Sequence, residues 1–85
     1  GDLDIQSNTN LRNLDALSSL TEIGEDLQII SNASLSDVTG LNNVTSVSGD
    51  FSITYNGSLG NSAANDLVSV IGEENIGGSV NITGN

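Results

Sequence analysis

The chain has 85 residues, 35% of them hydrophobic, and its aromatics are one Phe and one Tyr, so a globule of this length has little apolar mass to set against chain entropy. A formal net charge of -10, with Arg12 the single base, argues against nucleic-acid and anionic-membrane binding, which both need clustered positive charge. With no Cys and no His, disulfides and the usual zinc and iron sites are excluded, and no apolar run reaches the length of a membrane span.

In chain order, Leu3 and Ile5 alternate with Asp2, Asp4 and Gln6, the period-two signature of a short strand buried on one face. Asn8 then turns the chain. Leu11, Leu14, Leu17, Leu20 and Ile23 follow at intervals of three, which suits a flattened 3₁₀-like path better than an α-helix, and Gly24 permits a corner. The plan returns at an interval of 24 with Leu27, Ile29, Asn32, Leu35, Val38, Leu41, Val44 and Val47, and Ser48 stands in the slot of Gly24. It begins again with Phe51, Ile53, Asn56 and Leu59 and then departs, because Ser62 and Asn65 fall in apolar slots. Residues 61–71 read better as a short helix, with Asn61 or Ser62 as N-cap and Gly72 as the stop. Glu73 and Glu74 open a solvated loop, and the chain closes on a strand with Val80, Ile82 and Asn85, 29 residues after its predecessor.

Repeats that each begin with a strand predict a parallel sheet with one strand per repeat and strands about 4.8 Å apart. The expected fold is mainly β: a right-handed parallel β-solenoid forming a single domain over 1–85. It has three rungs of 24 to 29 residues (1–24, 25–48 and 49–77), a final strand at 78–85, and a short helix near 61–71. Leu3, Ile5, Leu11, Leu27, Ile29, Leu35, Phe51, Ile53, Leu59, Val80 and Ile82 are the expected core, and Asn8, Asn32, Asn56 and Asn85 the expected column of stacked amides.

The segments Leu-Asp-Ile-Gln-Ser-Asn, Leu-Gln-Ile-Ile-Ser-Asn and Phe-Ser-Ile-Thr-Tyr-Asn resemble leucine-rich repeats. The fuller pattern, Gly-Asp-Leu-x-Ile followed by Leu-x-x-Leu-x-x-Leu-Thr-x-Ile-Gly, is similar to the receptor L-domain variant found in growth-factor receptor ectodomains and microbial surface proteins. The likeness covers nearly the whole chain and fits the third repeat worst. It departs from the common leucine-rich repeat in placing Leu three residues after Asn, and from receptor L domains in lacking disulfides. The resemblance implies an extracellular or cell-surface, non-enzymatic protein and no particular ligand.

Four features could carry chemistry. Asp2, Asp26 and Asp50 share one slot in successive repeats and could ligate calcium; the plainer reading is that each accepts backbone N–H bonds at the corner before its strand. Glu73 and Glu74 are neighbours whose side chains do not converge on one substrate, so they read as a solvated loop. Asn32, Asn43, Asn56 and Asn81 all begin sequons for N-linked glycans, with Asn43 and Asn81 expected to face solvent and Asn32 and Asn56 to belong to the inward column. The outward sheet face, Asp4, Gln28, Ser52 and Asn81 beside Gln6, Ile30, Thr54 and Thr83, lacks the aromatic and Arg anchors of binding hot spots, while Tyr55 is expected in the core or the turn.

Without His, Cys or Lys, Ser has no base to activate it, so catalysis is the weakest reading and no cofactor is implied. The chain starts and ends on strands, which suggests continuation at both ends. The expected function is a structural module that associates with itself head to tail, Val80 and Ile82 of one copy beside Leu3 and Ile5 of the next, into a fibre. The alternative is a ligand-binding or adhesive segment of a larger receptor-like ectodomain.

Overall fold

Short alternating segments form strands where each repeat begins, and the structure, a computed structural model, describes residues 1–85. In chain order the strands are β1 (Leu3–Gln6), β2 (Glu22–Ile23), β3 (Leu27–Ile30), β4 (Ser46–Val47), β5 (Phe51–Thr54) and β6 (Val80–Thr83), with one helix, α1 (Asn61–Ile71). The four longer strands make an all-parallel sheet in the order β1-β3-β5-β6, and β2 pairs with β4 in a second parallel sheet. Register follows the sequence interval: Leu3 stands beside Leu27, Leu27 beside Phe51 and Phe51 beside Val80. Turns of 3₁₀ helix at Asp15–Leu17 and Thr39–Leu41 connect the two sheets, as the three-residue spacing suggests.

The two 3₁₀ turns stack so closely that a methyl group on Gly40 would run into the Leu14 carbonyl. Between these turns and the sheets lies one core cluster of 17 buried residues, in which Leu27, Ile29, Leu35, Leu41, Val47, Phe51 and Ile53 are fully enclosed.

The expectation of a mainly β, right-handed solenoid is corrected by this arrangement. The chain is a small compact α/β fold of 29 × 24 × 20 Å, in which a four-stranded parallel sheet, a two-stranded sheet and an 11-residue helix share one core. The physical reason is the third repeat. Its buried residues, Ala64, Leu67, Val68 and Ile71, recur at i, i+3, i+4 and i+7, a helical stripe that replaces the three-residue spacing of the first two repeats. Gly60 and Gly72, both with φ near the left-handed range (83° and 90°), bracket the helix. No side chain caps it, so neither Asn61 nor Ser62 plays the expected N-cap role.

The core expectations are corrected at the sheet edges. Leu27, Ile29, Leu35, Phe51, Ile53 and Leu59 are buried, but Leu3, Ile5, Leu11 and Ile82 are only half-buried and Val80 is 41% exposed. These residues belong to or flank β1 and β6, whose outer sides have no neighbouring strand to cover them. Thr54, expected on the outward face, is buried in register between Ile30 and Thr83. Tyr55, expected inward or in the turn, is 64% exposed and lies against the backbone of Gly84.

Candidate functional site: the asparagine ladder and the two sheet edges

Each strand of the main sheet ends in a left-handed residue followed by Asn. Ser7, Ser31, Tyr55 and Gly84 have φ of 57°, 59°, 58° and 70°, although only the last is glycine. Three non-glycine residues therefore hold a conformation that ordinarily costs about 1–2 kcal/mol each. The turn points the backbone N–H of the next residue along the sheet, where only an acceptor on the neighbouring repeat can satisfy it.

The Asn column supplies that acceptor. Asn8 donates its backbone N–H (3.0 Å) and its Nδ2–H (3.1 Å) to Oδ1 of Asn32. Asn32 does the same to Asn56 (2.9 and 3.1 Å), and Asn56 to Asn85 (3.1 and 2.9 Å). A backbone N–H requires an oxygen opposite it, which fixes the amides of Asn32, Asn56 and Asn85 in one orientation. The second Nδ2 proton goes back to carbonyls at the strand ends: Gln6 from Asn8, Ile5 from Asn32, Ile29 from Asn56 and Ile53 from Asn85. Asn32 and Asn56 have no exposed surface, and no buried side-chain polar atom in the protein lacks a partner.

The ladder does not stop at Asn85. Its backbone N–H (3.2 Å) and Nδ2–H (3.1 Å) go to Oδ1 of Asn61, the first residue of α1. The sequence predicts a helix cap at that residue or at Ser62. Asn61 stands 24 residues before Asn85, the interval of the repeat, but on a helix and not after a strand, so the strand-and-Asn pattern does not include it. At the opposite end, Oδ1 of Asn8 accepts no hydrogen bond. The column thus has an open acceptor, Asn8 Oδ1, on the β1 side, while on the β6 side the donors of Asn85 are already taken by Asn61.

A second column runs along the opposite corner. Oδ1 of Asp2 accepts the N–H of Asp26, that of Asp26 the N–H of Asp50, and that of Asp50 the N–H of Ser79, each at 2.9 Å. One oxygen of each Asp is therefore committed to the neighbouring backbone, and no group of three acidic side chains is gathered as a metal site. Asp2, Asp26 and Asp50 thus each accept a backbone N–H at the corner before the next strand.

Of the sequon residues, Asn32 and Asn56 are sealed in the ladder, Asn43 is exposed but donates Nδ2–H to the Ser18 carbonyl (2.7 Å), and Asn81 is exposed on β6. Glu73 and Glu74 lie exposed in a 3₁₀ turn (Glu73–Asn75) beyond α1. Two hollows mark the surface, each about 320 Å³. One lies between Thr39 and α1, lined by Asp37, Val38, Asp66, Leu67 and Val70. Asp37 there has its carboxyl held below the usual range by the Thr39 hydroxyl and, second, by the Thr39 N–H. The other hollow is apolar and sits at the β1 end, lined by Ile5, Asn8, Leu11, Leu14 and Leu17.

The chain matches no family model, no curated protein and no solved structure. No helix is long and apolar enough to cross a membrane.

Proposed function

We propose that this chain is a non-enzymatic structural module that associates with copies of itself by strand addition, β1 of one copy joining β6 of another in parallel. The observation that carries the reading is the phase of the backbone bonds. Leu3 N–H donates to the Asp26 carbonyl, Leu27 N–H to that of Asp50 and Phe51 N–H to that of Ser79, at 2.9, 2.9 and 2.8 Å. The next member of the series is the N–H of Val80, and the carbonyl in phase with it is that of Asp2 in a second copy. Likewise Ser7, Ser31 and Tyr55 donate to Ile30, Thr54 and Thr83, all at 3.0 Å, which leaves Gly84 N–H in phase with the Gln6 carbonyl of the incoming copy. Unpaired sheet edges of this kind favour strand addition.

Charge favours this pairing over two β1 edges meeting. The β1 edge carries Asp2 and Asp4, so β1 against β1 would oppose carboxylates, whereas β6 offers Ser79, Asn81 and Thr83. The contact is heterologous and propagates into a filament unless its rotation closes a ring. The net charge of -10 opposes assembly at low salt, and screening lengths of about 10 Å at 0.1 M relieve the repulsion. The resemblance to receptor L-domain repeats favours an extracellular or cell-surface setting, with N-linked glycans at Asn81 and Asn43 in a eukaryotic source.

Sedimentation velocity over a concentration series, at low and moderate salt, together with electron microscopy tests the proposal. Salt-promoted filaments or rings are expected. A monodisperse monomer at every concentration and salt removes self-association and leaves a ligand-binding or adhesive segment of a larger ectodomain as the better account.

A further inference from the structure

Resting on the self-association reading, we infer that Asn61 weakens strand addition at the β6 edge as a displaceable stop, because its Oδ1 fills the acceptor position that Asn8 of an incoming copy would take. Every step of the ladder is the same two-pronged bond, one backbone N–H and one Nδ2–H on a single Oδ1. Asn61 reproduces that bond on Asn85 without bringing a strand with it. The side chain arrives from α1, whose backbone is committed to the helix, so the column ends there.

The two edges are therefore unequal. On the β1 side, Asn8 is exposed, its Oδ1 accepts nothing, and half-buried Ile5, Leu11 and Leu17 line the apolar hollow next to it. On the β6 side the strand edge is open, as the exposure of Val80 shows, but the corner is occupied. A second copy approaching β6 has to exchange one Oδ1 for an equivalent one. The exchange gains no hydrogen bond at the corner, so growth depends on the strand edge and the apolar hollow alone. The fitting partner is a strand followed by Asn whose side-chain oxygen is free, and β1 with Asn8 is such a strand. Displacing Asn61 converts a weakly associating unit into a readily growing one.

The substitution Asn61→Ala tests this in the intact chain. The residue is exposed and caps no helix N–H, so its loss leaves the core in place. With two donors of Asn85 freed, half-association should occur at a concentration about tenfold or more below wild type, from two hydrogen bonds of about 1 kcal/mol each. Asn61→Asp, which keeps an oxygen in position, should behave as wild type, and adding Asn8→Ala to Asn61→Ala should cancel the gain. Amide exchange by NMR gives an independent readout: the Asn85 N–H is protected in wild type and exchanges faster in Asn61→Ala.

An unchanged Asn85 exchange rate in Asn61→Ala means that Asn61 is not its acceptor and overturns the inference. Faster exchange with unaltered association, in a wild type that does self-associate, overturns the stop while leaving strand addition standing. Faster exchange with neither protein associating at any concentration overturns strand addition itself, and the stop with it.

Discussion

Replacing Asn56 by Ala should be among the most damaging single substitutions in this protein, although it removes no apolar surface. Asn56 is fully buried; its Oδ1 accepts from the Asn32 N–H (2.9 Å) and Nδ2 (3.1 Å), and its Nδ2 donates to Ile29 (2.9 Å), Thr54 (3.2 Å) and Asn85 (2.9 Å). Truncation leaves the buried Asn32 N–H with no partner, at about 1–3 kcal/mol. The other amide contacts add about 1–2 kcal/mol, because Asn32 Nδ2 keeps the Ile5 carbonyl and Asn85 Oδ1 keeps the Asn56 N–H. The expected loss is about 2–5 kcal/mol, against roughly 4–13 kcal/mol of total stability for a chain of this length. Asn8→Ala is the matched control: the residue is exposed, Asn32 Oδ1 still accepts its backbone N–H, and water reaches the Gln6 carbonyl, so the cost is under about 1 kcal/mol. Urea denaturation followed by far-UV circular dichroism compares the two. Equal losses, or an Asn56→Ala loss below about 1 kcal/mol, would refute the argument that the ladder's buried members satisfy backbone groups that nothing else can reach.

Gly40→Ala should lower the urea midpoint sharply, since the new methyl meets the Leu14 carbonyl and amide plane and pushes the stacked 3₁₀ turns apart; a midpoint within error of wild type contradicts that packing. Asp37 has a folded-state pKa depressed below 3.8 by its bonds to Thr39, so its contribution is present above the unfolded pKa and lost as pH falls through the folded one. Wild type should accordingly be more stable than Asp37→Asn at neutral pH, with the difference shrinking as the pH falls below the usual carboxyl range, and a pH-independent difference counting against the assignment. In chain secreted from a eukaryotic host, peptide mapping should find glycan at Asn81 and Asn43 and none at Asn32 or Asn56; occupancy at Asn56 in folded material would show that the ladder is not closed as described.

Sequence by itself determined the parts of this protein that repeat. The spacing of Leu3, Leu27 and Phe51 sets the parallel register, because period-two alternation leaves one face of each strand apolar and a one-residue slip would turn that face outward. The Asn column was legible for the same reason: an identical residue at an identical interval lands beside itself. The three-residue spacing likewise foretold the 3₁₀ turns, and its failure at Ser62 and Asn65, with Gly72 as a stop, the helix over 61–71. Tertiary structure decided what those elements become together. The helix and two parallel sheets close on one core as a compact α/β fold and not as a uniform coil, since the helical stripe of the third repeat packs differently from the turns before it. It also decided that Ser7, Ser31 and Tyr55 are left-handed, a strain no residue type there announces and only Gly84 in the fourth slot hints at. Which edge strands leave Val80 exposed, and that Asn61 reaches back to Asn85, depend on where α1 lies against β6. The Asn61–Asn85 contact spans 24 residues, the interval of the repeat, but it joins a helix residue to the end of a strand, so only the packing of α1 against β6 brings the two together.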